Sequence, residues 1–345
     1  MSKIKKLMDE GIINPVPQII PQTNKSEKKE EFIFAPPKPI LKWVGGKTQI
    51  LDKIFERFPK EINNYHEIFL GGGSVLFALL YMVLNKQIKM NGKIFAYDLN
   101  PSLINMYKII QSKPKKLIKV LNELIEYYNS IKTLNGKKNP ENEDEALISK
   151  ESFYYWIRKL YNTKYNKLDD TTKNRHKIRN AAMFIFLNKT GFRGLYRVGP
   201  NGFNVPFGNY KNPSIMEKEQ ILEISKLIKN VIFNNLSFTK SLIPPNMESS
   251  LLESGDFVYL DPPYAPENEK SFVSYTDDGF NIDKHKELFD MIKTLKQHNI
   301  KFMMSNADVE LVRSNFPDYQ IESIECKRSI NSKNPGAKTF EVIIR

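Results

Sequence analysis

Four consecutive residues, Asp261-Pro262-Pro263-Tyr264, follow the apolar run Phe257-Val258-Tyr259-Leu260. The run reads as a strand, and reactive residues of open α/β sheets gather at the carboxyl ends of strands. A conjugated planar amine is a poor nucleophile because its lone pair is delocalised. A carboxylate accepting one of its N–H bonds, with a backbone carbonyl accepting the other, favours the pyramidal nitrogen of a transition state. Two prolines hold such a carbonyl stiffly, since their φ angles are fixed and they offer no competing donor. An aromatic side chain in fourth place can stack on the planar group. The bland alternative is a strand that stops at a Pro-Pro turn.

Glu67-Ile68-Phe69-Leu70-Gly71-Gly72-Gly73-Ser74 reads as a strand-to-helix turn whose glycines permit close backbone approach to a ligand. Phe69, Gly71 and Gly73 are the expected ligand contacts there. Asp98 ends the next strand-like run, Ile94-Phe95-Ala96-Tyr97. An acid in that place can bind the vicinal hydroxyls of a ribose. The turn departs from the dinucleotide pattern G-x-G-x-x-G because position 76 is Leu. Trp43-Val44-Gly45-Gly46-Lys47 is a third cluster and lacks the first glycine of a P-loop. Its aromatic and basic residues can contact a cofactor; a helix N-terminus with a buried Trp is the alternative.

Positioning these clusters takes a chain that alternates in α/β fashion. Strands are expected over 65–70, 94–97, 230–234, 257–260, 300–304, 319–325 and 340–344, and helices over 75–84, from Pro101 to 110, and over 283–297. Ser74 is the expected N-cap of the first helix. The middle third has helical apolar spacing over 117–128, 153–165 and 175–188, with a polar stretch at 129–149 read as an exposed loop. Residues 191–210, rich in Gly, Pro and Asn, read as a surface hairpin or loop. The Pro-bracketed, polar residues 1–38 form a tail, 39–104 and 247–345 one α/β domain, and 105–246 a basic, mostly helical insertion.

The 345 residues carry a net charge of +13. Residues 105–246 hold 25 Lys and Arg against 12 Asp and Glu, whereas the rest holds 27 of each sign. A codon bias toward Lys would not confine the excess to the middle third; a polyanion contacted by that third explains it. Cys326 is the single cysteine, which excludes an internal disulfide framework. His66, His176, His285 and His298 form no ligand spacing, so no metal is expected. No run approaches the length of a membrane span and the N-terminus lacks a secretory pattern, so cytoplasm or nucleus is the expected location.

Taken in order, the three clusters resemble the DNA adenine methyltransferase (Dam) family of the D12 class, over residues 40–345. Leu41-Lys42-Trp43-Val44-Gly45-Gly46-Lys47 is similar to the family's opening. Phe203-Asn204-Val205-Pro206-Phe207-Gly208, Ser305-Asn306 and Arg328-Ser329-Ile330 fall where the family has similar words. The resemblance implies a seven-stranded Rossmann-like methyltransferase fold with a mostly helical target-recognition insertion. It implies S-adenosylmethionine as methyl donor, contacted by Trp43, Lys47, Asp98 and Asp261. Asp261, Pro262, Pro263 and Tyr264 would then methylate N6 of an adenine flipped out of double-stranded DNA. Gly191-Phe192-Arg193-Gly194-Leu195-Tyr196-Arg197 resembles the family's DNA-reading hairpin. The DNA contacts it implies are Lys189, Arg193, Leu195, Arg197 and Pro206. Arg197 can bond guanine O6 and N7, and Leu195 and Pro206 can meet a thymine methyl, within the site GATC. Ile68 stands where the family usually has Pro, and Arg193 where members that read GATC often have Asn.

The expected partners are double-stranded DNA and, as a candidate, a cognate restriction endonuclease, with the chain acting as a monomer. Two rival readings use the same residues. An RNA adenine or protein glutamine N-methyltransferase also acts on a conjugated planar nitrogen, although glutamine modifiers usually begin the tetrapeptide with Asn. A DNA-binding module with a retired catalytic site is opposed by intact Asp261, Tyr264, Asp98 and Lys47.

Overall fold

Short strands rich in apolar residues build a sheet that is covered on both faces. The computed structural model describes residues 33–163, 170–245, 247–266, 280–327 and 338–345. Residues 1–32 of the tail and the Arg328-Ser329-Ile330 word lie outside the described residues. Among the described residues, seven strands pair in the central sheet: β1 (Tyr65–Glu67), β2 (Ile94–Tyr97), β3 (Val231–Asn234), β4 (Phe257–Leu260), β5 (Lys301–Ala307), β6 (Ile321–Lys327) and β7 (Lys338–Ile344). Their order is β3-β2-β1-β4-β5-β7-β6. Neighbours from β3 through β5 are parallel, and β7 runs antiparallel to both β5 and β6. The order reverses between β1 and β4, and ligands bind outside the carboxyl ends of strands at such a switch point. Asp261 directly follows β4, which flanks this point, and Asp98 follows β2, the strand beyond β1.

Alternation along the strands separates two cores. Phe257 and Tyr259 of β4 enter one cluster, whereas Val258 and Leu260 enter the other. The first cluster takes in α1 (Ser74–Leu84), α2 (Pro101–Ser112), α3 (Pro114–Ser130), α4 (Lys150–Asn162), α5 (Asp170–Thr190) and α6 (Lys218–Leu227). The second packs α7 (Ile282–Gln297) on the opposite face through Leu288, Phe289, Ile292 and Leu295. Phe153, Phe184 and Phe186 of the middle third belong to the same core as Leu76 and Phe77 of α1, so the helical region is packed onto the sheet's own layer. In α3 the buried residues Leu117, Leu121, Leu124 and Tyr128 recur at three- and four-residue spacing. Truncating a fully buried one such as Leu121 to Ala would cost about 2–5 kcal/mol.

Helix starts show where local chemistry acted. Pro101 occupies the first turn of α2, and the Asn100 side chain caps it by accepting from the N–H groups of Ser102 and Leu103. At α1 the expected cap is corrected: Gly73, in the left-handed region at φ 76°, precedes the helix, and Ser74 is its first residue. The Ser74 hydroxyl instead accepts the backbone N–H of Lys47 at 3.2 Å, which ties the opening loop to the helix. The stretch 129–149 includes a short helix, Glu143–Ala146, capped by Asn142. Residues 191–210 hold the small antiparallel pair Val198–Gly199 and Gly202–Phe203. Between 105 and 246 lies β3, which pairs with β2 at the sheet's edge. Among the described residues no helix is long and apolar enough to cross a membrane.

Candidate active site

Asp261, half-buried, leaves β4 and meets two donors. Lys47 Nζ lies 2.6 Å from Asp261 Oδ1, and the Ser305 hydroxyl of β5 donates to the same oxygen at 2.9 Å. Ser305 is in turn 3.1 Å from the Tyr259 hydroxyl, so β4 and β5 fix each other's polar groups. The Lys47 side chain is 2% exposed, donates to the Gly45 carbonyl at 2.8 Å and lies 4.7 Å from the centre of the Tyr264 ring. Among the described residues, both donors to Asp261 use Oδ1. Oδ2 is thereby the oxygen left for another partner. The next β5 residue, Asn306, accepts the Ala265 N–H at 3.0 Å and pins the chain just after Tyr264.

Charge is held down in this region. Burial pushes the Asp261 carboxyl above the usual carboxylate range, and the Lys47 ammonium and the Ser305 hydroxyl oppose that rise. Burial pushes Glu67, at the end of β1, up to about 8, against the hydrogen bond it accepts from the Tyr65 hydroxyl at 2.8 Å. Asp261 adds to the rise. Glu67 is therefore protonated at neutral pH, leaving Lys47 to balance Asp261. Glu341 of β7, beside the Tyr264 hydroxyl, is also raised by burial with Lys47 opposing.

The acid after β2 does structural work. Asp98 Oδ2 accepts the Gly71 N–H at 2.9 Å and Oδ1 accepts the Asn100 N–H at 2.8 Å. Burial raises its carboxyl and these two N–H groups lower it. Each oxygen has a further lone pair, which suits a diol. Phe69 is half-buried, with Phe280 at 5.8 Å and Phe238 at 6.1 Å between ring centres. Leu99, beside Asp98, is 73% exposed. A carboxylate with spare acceptor capacity beside exposed apolar groups fits the ribose and base of an adenosyl group.

The glycines have a second reason to be there. A Cβ on Gly71 (φ 50°) would come within 3.0 Å of Trp43 Cδ1, and one on Gly72 within 3.1 Å of Trp43 Cβ. The turn is bare where the indole lies on it, whereas the sequence suggested only close approach of a ligand. Trp43 in turn stacks on Tyr196, centres 5.6 Å apart at 28°. Buried Asn188 joins the same two segments: it accepts the Lys42 N–H at 2.9 Å and donates to the carbonyls of Lys42 at 2.9 Å and Gly194 at 2.8 Å.

On the 191–210 segment Arg193, Arg197 and Pro206 are exposed and Leu195 is half-buried. Arg193 sits at φ 56°, the left-handed region, and its N–H donates to the Tyr210 hydroxyl at 2.9 Å. The Arg197 guanidinium is oriented by Asn204, Nε to Oδ1 at 2.7 Å and a terminal nitrogen to the backbone carbonyl at 3.3 Å. Lys189 is recessed rather than displayed: burial and neighbouring Lys42 push its ammonium below the usual range, with Glu217 opposing. The sequence gives Ser305, Tyr196 and His285 no separate role and leaves Leu99 and Asn188 unremarked. Of these, Ser305, next to an asparagine at a strand's end, and Tyr196, inside the hairpin word, left a trace in the family words.

An acid after β2 and a carboxylate oxygen left open after β4, at the switch point of the sheet, form an arrangement that can hold a planar amine beside an adenosyl group. The chain belongs to the D12 class N6 adenine-specific DNA methyltransferase family, whose pattern matches residues 43–330. It is 36% identical over 317 residues to Type II methyltransferase M.MjaIII of Methanocaldococcus jannaschii, covering 89% of this chain and 98% of that protein. It is 32% identical to Type II methyltransferase M1.LlaDCHI of Lactococcus lactis subsp. cremoris, covering 89% of this chain and 94% of that protein. DNA adenine methylase of Escherichia coli K12 is 27% identical, covering 88% of this chain and 93% of that protein. The protein is an adenine-specific DNA methyltransferase.

Proposed function

We propose that this enzyme transfers a methyl group from S-adenosylmethionine to N6 of an adenine flipped out of double-stranded DNA, within GATC. The observation that carries the chemistry is the engagement of Asp261 Oδ1 by both Lys47 and Ser305. Oδ2 then accepts one N–H of the amine and the Pro262 carbonyl accepts the other, while Tyr264 stacks on the base. Bound S-adenosylmethionine supplies a methyl group activated by its sulfonium. Asp98 holds the ribose hydroxyls, with Phe69, Trp43 and the Gly71–Gly73 turn beside it. The nitrogen attacks the methyl carbon directly, the carbon–sulfur bond breaks with its electrons going to sulfur, and the amine's surplus proton passes toward Asp261.

The segment 105–246, apart from β3, acts as the target-recognition part of a seven-stranded methyltransferase fold, and its charge meets DNA phosphates. Arg197, steadied by Asn204, reads guanine from the major groove, and Leu195 and Pro206 meet a thymine methyl. Arg193 and Lys189 add contacts nearby. GATC is supported by the resemblance of the hairpin and by the DNA adenine methylases among the relatives. The Type II names among them support a cognate restriction endonuclease in the same cell. The enzyme works as a monomer in the compartment that holds its DNA. Tritium transfer from labelled cofactor to DNA, RNA and protein tests the reading. Label in duplex DNA alone, confined to GATC, is expected; label in RNA or protein, or at another site, contradicts it.

A further inference from the structure

Two successive prolines supply two carbonyls and no N–H. The Pro263 carbonyl faces an imidazole: His285 Nε2 lies 3.0 Å from it. His285 is in the first turn of α7 and is completely buried. Its other ring nitrogen, Nδ1, is 2.9 Å from the Asn281 carbonyl, which also accepts the His285 backbone N–H at 3.0 Å. Phe280 stands edge-on at 4.7 Å and Phe289 at 5.9 Å, so the ring is held on its sides as well.

Both facing groups are carbonyl oxygens, which only accept. A neutral imidazole has one proton to offer, and on Nε2 it bonds Pro263, whereas on Nδ1 it turns a lone pair toward Pro263. Burial pushes the imidazole below its usual range and the two carbonyls oppose that. The Pro263 ring fixes its φ, so a single soft torsion, the ψ of Pro263, separates the Pro263 carbonyl from the peptide plane that carries the Pro262 carbonyl. Anchoring the one limits the other to rotation about that single torsion.

The geometry points to His285 as a positioning residue that, through an Nε2–H bond to the Pro263 carbonyl, aims the Pro262 carbonyl at the substrate amine. The inference rests on the roles proposed above for Asp261 and Pro262. His285 touches neither cofactor nor DNA in that arrangement, so its loss affects the chemical step and not binding.

The test compares His285→Gln, His285→Asn and His285→Phe with wild type and Asp261→Ala in single-turnover methylation of duplex DNA at saturating cofactor. Gln can present a donor near the Nε2 position; Asn is too short, and Phe keeps the ring but donates nothing. His285→Phe and His285→Asn should slow the chemical step by about tenfold or more, as small misplacements do, with cofactor and DNA affinities within about twofold. His285→Gln should recover most of the rate. If Phe fails to fold, the Gln–Asn comparison carries the test. Equal rates in all variants, or equal losses in Gln, Asn and Phe, overturn the inference. An inactive Asp261→Ala beside an unaffected His285→Phe overturns the inference alone. An active Asp261→Ala overturns the reading of the tetrapeptide, and this inference with it.

Discussion

Buried Lys47 and half-buried Asp261 meet as an ion pair, 2.6 Å from Nζ to Oδ1, joining the opening loop to the end of β4. Removing one partner of such a pair leaves an uncompensated buried charge. The pair also shares Oδ1 with the Ser305 hydroxyl, so it decides which carboxylate oxygen faces outward. Lys47 therefore governs both the ionisation and the aim of Asp261.

Lys47→Met should shift the pH dependence of methyl transfer. Burial already raises the Asp261 carboxyl, and Lys47 is the largest influence holding it down. Without the ammonium the carboxyl rises further, and the acid limb of the kcat profile moves to higher pH. An acid limb at the wild-type position would show that Asp261 ionisation does not limit the reaction.

Glu67 should make the fold less stable as the solution becomes alkaline. Its carboxyl is raised by burial to about 8 from the ordinary 4.5. A group whose folded pKa lies above its unfolded value contributes its full stability below the unfolded pKa and loses it as pH rises through the folded one. Melting temperature should fall between about pH 4.5 and pH 8, and Glu67→Gln should flatten that part of the curve. An identical slope in the variant would remove Glu67 as the cause.

Asp98→Ala should weaken S-adenosylmethionine binding by about ten- to a hundredfold, the worth of a charge-assisted hydrogen bond. Part of the loss would come through Gly71, whose N–H Asp98 accepts. Calorimetry measures it directly, and unchanged affinity would take Asp98 out of the cofactor site.

Arg197→Ala should relax discrimination at the guanine by about 1–3 kcal/mol at fixed salt. Asn204→Ala should do the same to a smaller degree, because Asn204 orients the guanidinium. Methylation of duplexes varied at each base of the site checks both. A uniform loss across the set, with a salt slope lower by about one ion, would make Arg197 a phosphate clamp.

The sheet was legible wherever apolar runs were short and bounded. β2 and β4 fall over the residues expected, 94–97 and 257–260, because Asp98 and Asp261 end them abruptly. α6 escaped notice, since its only buried residues are Ile221 and Ile224 and so few make no stripe. The Ser74 expectation failed for a long-range reason: the hydroxyl is taken by Lys47, 27 residues away in sequence. Asp261, Lys47 and Asp98 stood out because short motifs announce them. Ser305, Asn188 and His285 act across elements, and only folding brings them to their partners.

The central claim is that Asp261 accepts the N–H of the adenine amine. Wild type and Asp261→Ala are given duplex DNA and S-adenosylmethionine carrying a labelled methyl group, and the DNA is digested to nucleosides. The account predicts label in N6-methyl-2′-deoxyadenosine for wild type. For Asp261→Ala it predicts a loss of more than about a hundredfold, with DNA binding intact. Transfer within about tenfold of wild type, or label in another nucleoside, would contradict it.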